Sequence, residues 1–194
     1  MSAEPTFDQY GSVSDDLADA SKQLIKFLCY FLPSGSQEFD GKAFTKAINN
    51  RPEGDLCVED HKSDRIEGQQ ALLQTMVEKL AMTLGQIAAP IIGQHVLYNL
   101  LMTNLDSIEE HEKMGSAWYE KSNDSSSISY RLVIYGPNPN KPSDFYALVC
   151  NYKITADITD KETWYSLTNT SEHKFGAEFD CIKLVCNEKF TAGP

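Results

Sequence analysis

Apolar positions in the first part of the chain recur every three or four residues. Leu17, Ala20, Leu24, Phe27, Leu28 and Phe31 share one face of a helix that runs up to Pro33. Ser14, followed by Asp15 and Asp16, reads as its N-cap with acid in the first turn, where the helix dipole favours it. Residues 39–48 alternate loosely and predict a strand. Arg51-Pro52-Glu53-Gly54 predicts a turn, with a short return strand at Leu56, Cys57 and Val58. Helical spacing resumes after Ile66: Leu73, Met76, Val77, Leu80, Leu84 and Ile87 line one face, then Leu97, Leu100, Leu101, Leu105 and Ile108 line another. Pro90 divides the two runs, which predicts a helical hairpin over about residues 67–87 and 90–113.

After Gly115 the period changes from helix to strand. Trp118 and Tyr119 precede a polar stretch at 122–127, whose composition predicts a loop. Residues 129–135 predict a strand on their β-branched and aromatic content, and 136–142 a turn. A long strand is expected over 145–158, with two more at 164–168 and 181–186. Short connections between neighbouring strands favour antiparallel pairing. The order is a helical first part and a strand-rich second part, without a repeat or a clean linker between them.

The net charge of −11 works against a general nucleic-acid binder, because such a surface repels phosphate backbones. It equally disfavours a polybasic clamp on anionic lipid. Acidity is front-loaded, with 12 acidic and 6 basic side chains in residues 1–64. Five cysteines at 29, 57, 150, 181 and 186 include no C-x-x-C pair, so reduced thiols are expected rather than a zinc or redox motif. Nothing at the N-terminus reads as a secretory signal, and the expectation is a soluble protein made in the cytoplasm and released non-classically.

The search for chemistry names no catalytic residue, metal ligand or cofactor. His61, His95, His111 and His173 make no H-E-x-x-H pair, and nucleophile elbows and phosphate-cradling glycine loops are absent. Glu110-His111-Glu112 reads as a solvated acidic surface with a raised histidine pKa, and His95 as a polar residue of the hairpin turn. One feature stands out. Residues 80–105 pass without a formal charge, yet Gln86, Pro90, Gln94, His95, Asn99 and Asn104 make them too polar for constitutive membrane insertion. Two readings remain open for this stretch: amphipathic helices packed on a sheet, or a segment able to move from that packing into lipid.

Four stretches in order resemble the Cyt-type pore-forming cytolysins, the bacterial Cyt delta-endotoxins and their volvatoxin-like fungal relatives. They are Phe31-Leu-Pro-Ser34 running into Phe39-Asp-Gly-Lys-Ala-Phe44, the uncharged hairpin from Val77 through Leu105, Ala117-Trp118 with the Ser/Asn-rich spacer to Ser129-Tyr130, and the strands at 149–154 and 182–184. The likeness covers roughly residues 15–186. It implies an α/β (α+β) protein with a single three-layer domain over residues 14–190, in which two layers of helical hairpins flank a largely antiparallel central sheet. Residues 1–13 would be a flexible segment and 191–194 a tail. It further implies no enzyme activity, direct binding to membrane lipids, self-oligomerisation on the membrane and permeabilisation. The alternative is a non-lytic protein of the same fold acting as a soluble binding module.

Under the lytic reading, membrane-interacting residues are expected in the hairpin (Leu80, Leu84, Ile87, Ile91, Ile92, Leu97, Leu100, Leu101, Leu105) and in the strands (Leu132, Ile134, Tyr146, Leu148, Cys150, Tyr152, Ile154). Whether helices or strands would span stays open. The short N-terminal arm departs from the bacterial pattern, so a leading strand and an activation peptide are not expected. The acidity points to zwitterionic lipid.

Overall fold

Three long strands set the architecture: β4 (Ser126–Pro137), β5 (Asp144–Ala156) and β6 (Glu172–Asn187), paired antiparallel in sequence order. The computed structural model describes residues 4–33, 38–51 and 54–193. Beyond β6 lies β2 (Leu56–Leu72), antiparallel to it, and the sheet order is β1-β4-β5-β6-β2. The far edge of β4 is shared. β3 (Ala117–Lys121) pairs antiparallel with its first half, and β1 (Asp8–Tyr10) pairs parallel with Leu132–Ile134.

Helices cover both faces, giving the expected three-layer α/β arrangement. On one side α1 (Ala18–Cys29) and α2 (Gly41–Asn49) bury Leu24, Phe27, Leu28, Phe44 and Ile48 against Val133, Phe145, Val149, Ile182 and Leu184. On the other, α3 (Leu73–Ala88), α4 (Gln94–Asp106), α5 (Ile108–Met114) and α6 (Lys161–Tyr165) cover Ile128–Ile134, Leu148–Ile154 and Phe175–Cys181 through the alternate residues of each strand.

Several local expectations are corrected. The strand expected over 39–48 is α2: the Asp40 carboxylate accepts from the Ala43 amide at 3.0 Å as an N-cap, and Phe44 and Ile48, four apart, are its buried face. The strand expected at 164–168 gives way to the single turn α6, capped by Asp160 and anchored by fully buried Trp164, whose indole donates to Ser126 Oγ at 2.8 Å. Residues 67–72, expected in the hairpin's first helix, extend β2, because Glu172–Phe175 of β6 offers them a pairing partner. The second helix starts at Gln94 and breaks at Ser107, so the run expected over 90–113 is α4 plus α5. The polar stretch ends at Ser125, since Ser126–Tyr130 are paired with β3. Ser14 makes no side-chain cap; its carbonyl closes a 3₁₀ turn instead. Of the turn expected at 51–54, Pro52 and Glu53 lie outside the described residues.

A leading strand, not expected, is present as β1, and one buried cation ties it in. Arg131, 1% exposed, donates through Nε to the Thr6 carbonyl at 2.9 Å and through its terminal nitrogen to the Gly115 carbonyl, with the Trp118 ring 4.5 Å from its guanidinium carbon. Desolvation pulls its pKa down to about 10, which still leaves it charged at neutral pH. His111 is the second tie. It is not on a solvated surface: its Nε2 lies 3.2 Å from Asp8 Oδ2 and its Nδ1 2.8 Å from the Ser107 carbonyl. The hydrogen bond to Asp8 is the main cause that raises its pKa, opposed by partial burial and helped by the Ser107 carbonyl and the charge of Glu110.

Two outcomes follow. Arg131→Met removes the charged donor to the Thr6 and Gly115 carbonyls, the latter keeping only the Thr6 amide at 3.0 Å, and should cost about 2–4 kcal/mol in urea unfolding, where a loss under about 0.5 would deny the tie its role. A histidine pKa raised on folding stabilises fully below the ordinary value of about 6.5, and that contribution is lost as pH rises through the folded value. Amide exchange in residues 6–10 should therefore quicken as pH rises from about 6 to 8, after correction for intrinsic rates, and Asp8→Asn should flatten that dependence.

Candidate functional site

The interface between the charge-free hairpin and the sheet gathers nearly all the residues singled out from the sequence. Leu80, Leu84, Ile87, Leu97, Leu101 and Leu105 are buried on the inner faces of α3 and α4, with Ile92 and Leu100 buried and Ile91 half-buried nearer the rim. Opposite them stand Leu132 and Ile134 of β4 and Leu148, Cys150, Tyr152 and Ile154 of β5, all buried. The two sets meet each other. Tyr146 is the exception, half-buried at the end of β5 under the Lys183 ammonium, 5.2 Å from its ring.

Sequence periodicity missed the polar ties that hold this apolar interface. Asn104, 2% exposed, donates to the Tyr152 hydroxyl at 3.0 Å, and its carbonyl accepts from the Tyr130 hydroxyl at 3.0 Å. The two tyrosines stack at 4.9 Å, and burial pushes both phenols up. Lys183, 7% exposed, donates to the Ala89 carbonyl at the hairpin turn at 3.0 Å and pairs with Glu59 at 3.4 Å. It shares the register face of Cys181, so a lysine in an otherwise apolar row was the available signal. Gly136 lets the turn approach: a Cβ there would lie 2.8 Å from Ile91 Cγ2 and 3.3 Å from Ile91 Cα.

The outward surface of the same hairpin is exposed and uncharged. Met82 and Val96 are exposed apolar side chains, accompanied by Gln86, Pro90, Gln94, His95 and Asn99. His95 has only a 3.4 Å contact with Asn99 Nδ2. Among the described residues no helix is long and apolar enough to cross a membrane, which says nothing about strands. No group of three or more His, Cys, Asp or Glu among them could hold a metal ion, and the five cysteines are free.

Beneath the hairpin one half of each strand is two-faced. Ile128, Tyr130 and Leu132 alternate with Ser127, Ser129 and Arg131 along β4. Along β5, Cys150, Tyr152 and Ile154 alternate with Asn151, Lys153 and Thr155; along β6, Ala177, Phe179 and Cys181 alternate with Gly176, Glu178 and Asp180. Register aligns these polar positions across the sheet. The apolar face lies under α3 and α4, and the polar positions lie on the opposite face, past the apolar contacts of α1 and α2, with only the start of α2 at Gly41 coming against Asp180.

No protein-family model matches the chain, and no curated protein sequence matches it. Solved structures do match in fold. A delta-endotoxin superposes with a TM-score of 0.81 over 100% of this chain and 87% of its own, at 12% sequence identity. The activated Cyt2Ba monomer from Bacillus thuringiensis subsp. israelensis superposes with a TM-score of 0.80 over 94% of this chain and 98% of its own, again at 12% identity. At that identity the likeness is one of fold: this chain shares the three-layer fold of a delta-endotoxin and of activated Cyt2Ba.

Proposed function

We infer that the protein permeabilises membranes, and that the two-faced central strands are the part that does so. The observation that carries this reading is the alternation along one half of β4, β5 and β6, at 127–132, 150–155 and 176–181, apolar on the face under α3 and α4 and polar on the other. That is the pattern of a strand with lipid on one side and water on the other. The residues marked from the sequence then act as a pair of surfaces. The hairpin set covers the strand set in water, and its release frees Leu132, Ile134, Leu148, Cys150, Tyr152 and Ile154 for lipid. Met82 and Val96, on the uncharged outer side of the hairpin, suit a first contact with a headgroup layer. A net charge of −11 favours zwitterionic over anionic lipid. Several copies must assemble, because open strand edges are not tolerated in hydrocarbon and three or four strands do not close a barrel. The fold shared with a delta-endotoxin supports this reading.

The test pins the hairpin. Lys62→Cys with Gln86→Cys, in a Cys57→Ser background, joined under oxidising conditions through a short dithiol, ties α3 to the sheet where the Lys62 and Gln86 side chains meet at the surface. Liposomes of unsaturated phosphatidylcholine and phosphatidylethanolamine loaded with dye should leak steeply with dose of the parent protein. The oxidised double variant should leak at least about tenfold less at equal dose, with reductant restoring leakage. Equal leakage from oxidised and reduced protein would refute hairpin release. No leakage from the parent protein in any lipid mixture would refute the function itself.

A further inference from the structure

The face of the sheet opposite the hairpin is covered only in part. α1 and α2 pack on its apolar half, at Val133, Val149 and Ile182. One residue pair further along each strand the positions become polar, and among the described residues no helix packs over them beyond the contact of Gly41 with Asp180. Two cross-strand rows result from the register. The first runs Trp118, Ser129, Lys153, Glu178, Arg65 across β3, β4, β5, β6 and β2; the second runs Arg131, Asn151, Asp180, Ser63. They floor a cleft of about 620 Å³, with Trp118 and Phe39 contributing aromatic walls. That volume falls within the range of small-ligand sites.

Among the described residues, two atoms of this floor lack partners. The Ser129 hydroxyl, on a residue 3% exposed, and the Asn151 side-chain oxygen are both buried without a hydrogen bond. Leaving such groups unpaired costs free energy, and that cost is recovered when a ligand supplies the missing bonds. The other polar groups are arranged rather than scattered. Asp180 accepts from His61 at 2.6 Å and from the Ser63 hydroxyl, while Lys153 and Glu178 pair at 3.5 Å.

The chemistry of the lining selects among ligands. Glu38, Asp64, Glu178 and Asp180 outnumber Arg65 and Lys153, so a phosphate or sulfate meets net repulsion. A quaternary ammonium offers no hydrogen bond to either orphan. A ligand hydroxyl both donates and accepts, which satisfies a serine hydroxyl, an amide oxygen and the flanking carboxylates together. Aromatic walls provide a surface for the C–H face of a sugar ring. We propose that the cleft over Ser129 and Asn151 is a binding site for a neutral saccharide unit, presented as a soluble glycan or as a glycolipid headgroup. The site is separate from the hairpin interface and does not depend on the permeabilising function.

The probes are the methyl glycosides of glucose, galactose, mannose and N-acetylglucosamine, followed by saturation-transfer NMR, with phosphate, sulfate and tetramethylammonium as competitors. At least one glycoside should bind with a dissociation constant near or below about 1 mM and change the emission of Trp118, one of only two tryptophans. The other, Trp164, belongs to α6 and is buried on the far side. Ser129→Val and Asn151→Leu remove the orphan atoms, so each should weaken binding at least about tenfold while the melting temperature stays level or rises. If either fails to fold, Ser129→Ala, which removes the same hydroxyl with a smaller change of volume, supplies the same comparison. Vesicles carrying glucosylceramide or galactosylceramide separate the sources: capture of protein by these but not by plain phosphatidylcholine assigns a headgroup, and glycoside binding without vesicle capture assigns a soluble glycan. The proposal is overturned if no glycoside binds at millimolar concentration, if phosphate or tetramethylammonium displaces the glycoside from the cleft, or if the variants bind as tightly as the parent.

Discussion

Everything in this fold follows from the mismatch between the two faces of three long strands. A strand of 12 to 16 residues presents alternate side chains to each face, and here one face is apolar over nearly the whole length while the other is apolar over only about half. The first face must be covered end to end, and α3 to α6 do so. The second needs a shorter cover, supplied by α1 and α2. The polar half of that second face is left open because burying it would strand hydroxyl, amide and charged groups.

The helical cover is held by non-directional burial and a few directed bonds. Buried leucines and isoleucines supply most of the attraction, but they specify no register between helix and sheet. Asn104 with its two tyrosines and Lys183 at the Ala89 carbonyl supply that register. A cover held this way is cooperative: it stays down in water, where exposing the apolar strand face is costly. In a hydrocarbon environment that cost vanishes, and only the directed bonds still oppose separation.

How much of this was legible follows from where each signal lies. The strands at 129–135 and 145–158 and the leucine faces of α3 and α4 are written as local periodicity, and they were read correctly in type. α2 was not, because Phe44 and Ile48 fit a short alternation as well as a helical turn until Asp40 is recognised as a cap. β2 was nearly invisible: apart from Ile66 and Gly68, Asp60 to Gln70 are polar, and they form a strand because β6 presents a complementary edge. The open cleft had no sequence signal, since Trp118, Ser129, Asn151 and Glu178 come together only through the register of four strands. The resemblance read in the sequence anticipated the layers and not these details.

The lengths of the elements also bear on which of them could cross a bilayer. At 1.5 Å per residue, the 16 residues of α3 reach about 24 Å and the 13 of α4 about 20 Å, both short of a hydrocarbon core of about 30 Å. Neither helix could be extended to span, because α3 begins where β2 ends and Ser107 breaks the run after α4. The strands have no such shortfall. A tilted crossing takes about 9–11 residues, and β4, β5 and β6 supply 12, 13 and 16. Charge points the same way. Lys153, Glu178 and Asp180 lie on the polar face of those strands, where a water-filled lumen would accept them and hydrocarbon would not; Lys183, on the apolar face four residues before the end of β6, is the exception. If this protein crosses a membrane, its helices are the cover that must leave, and its strands are the elements built to go in.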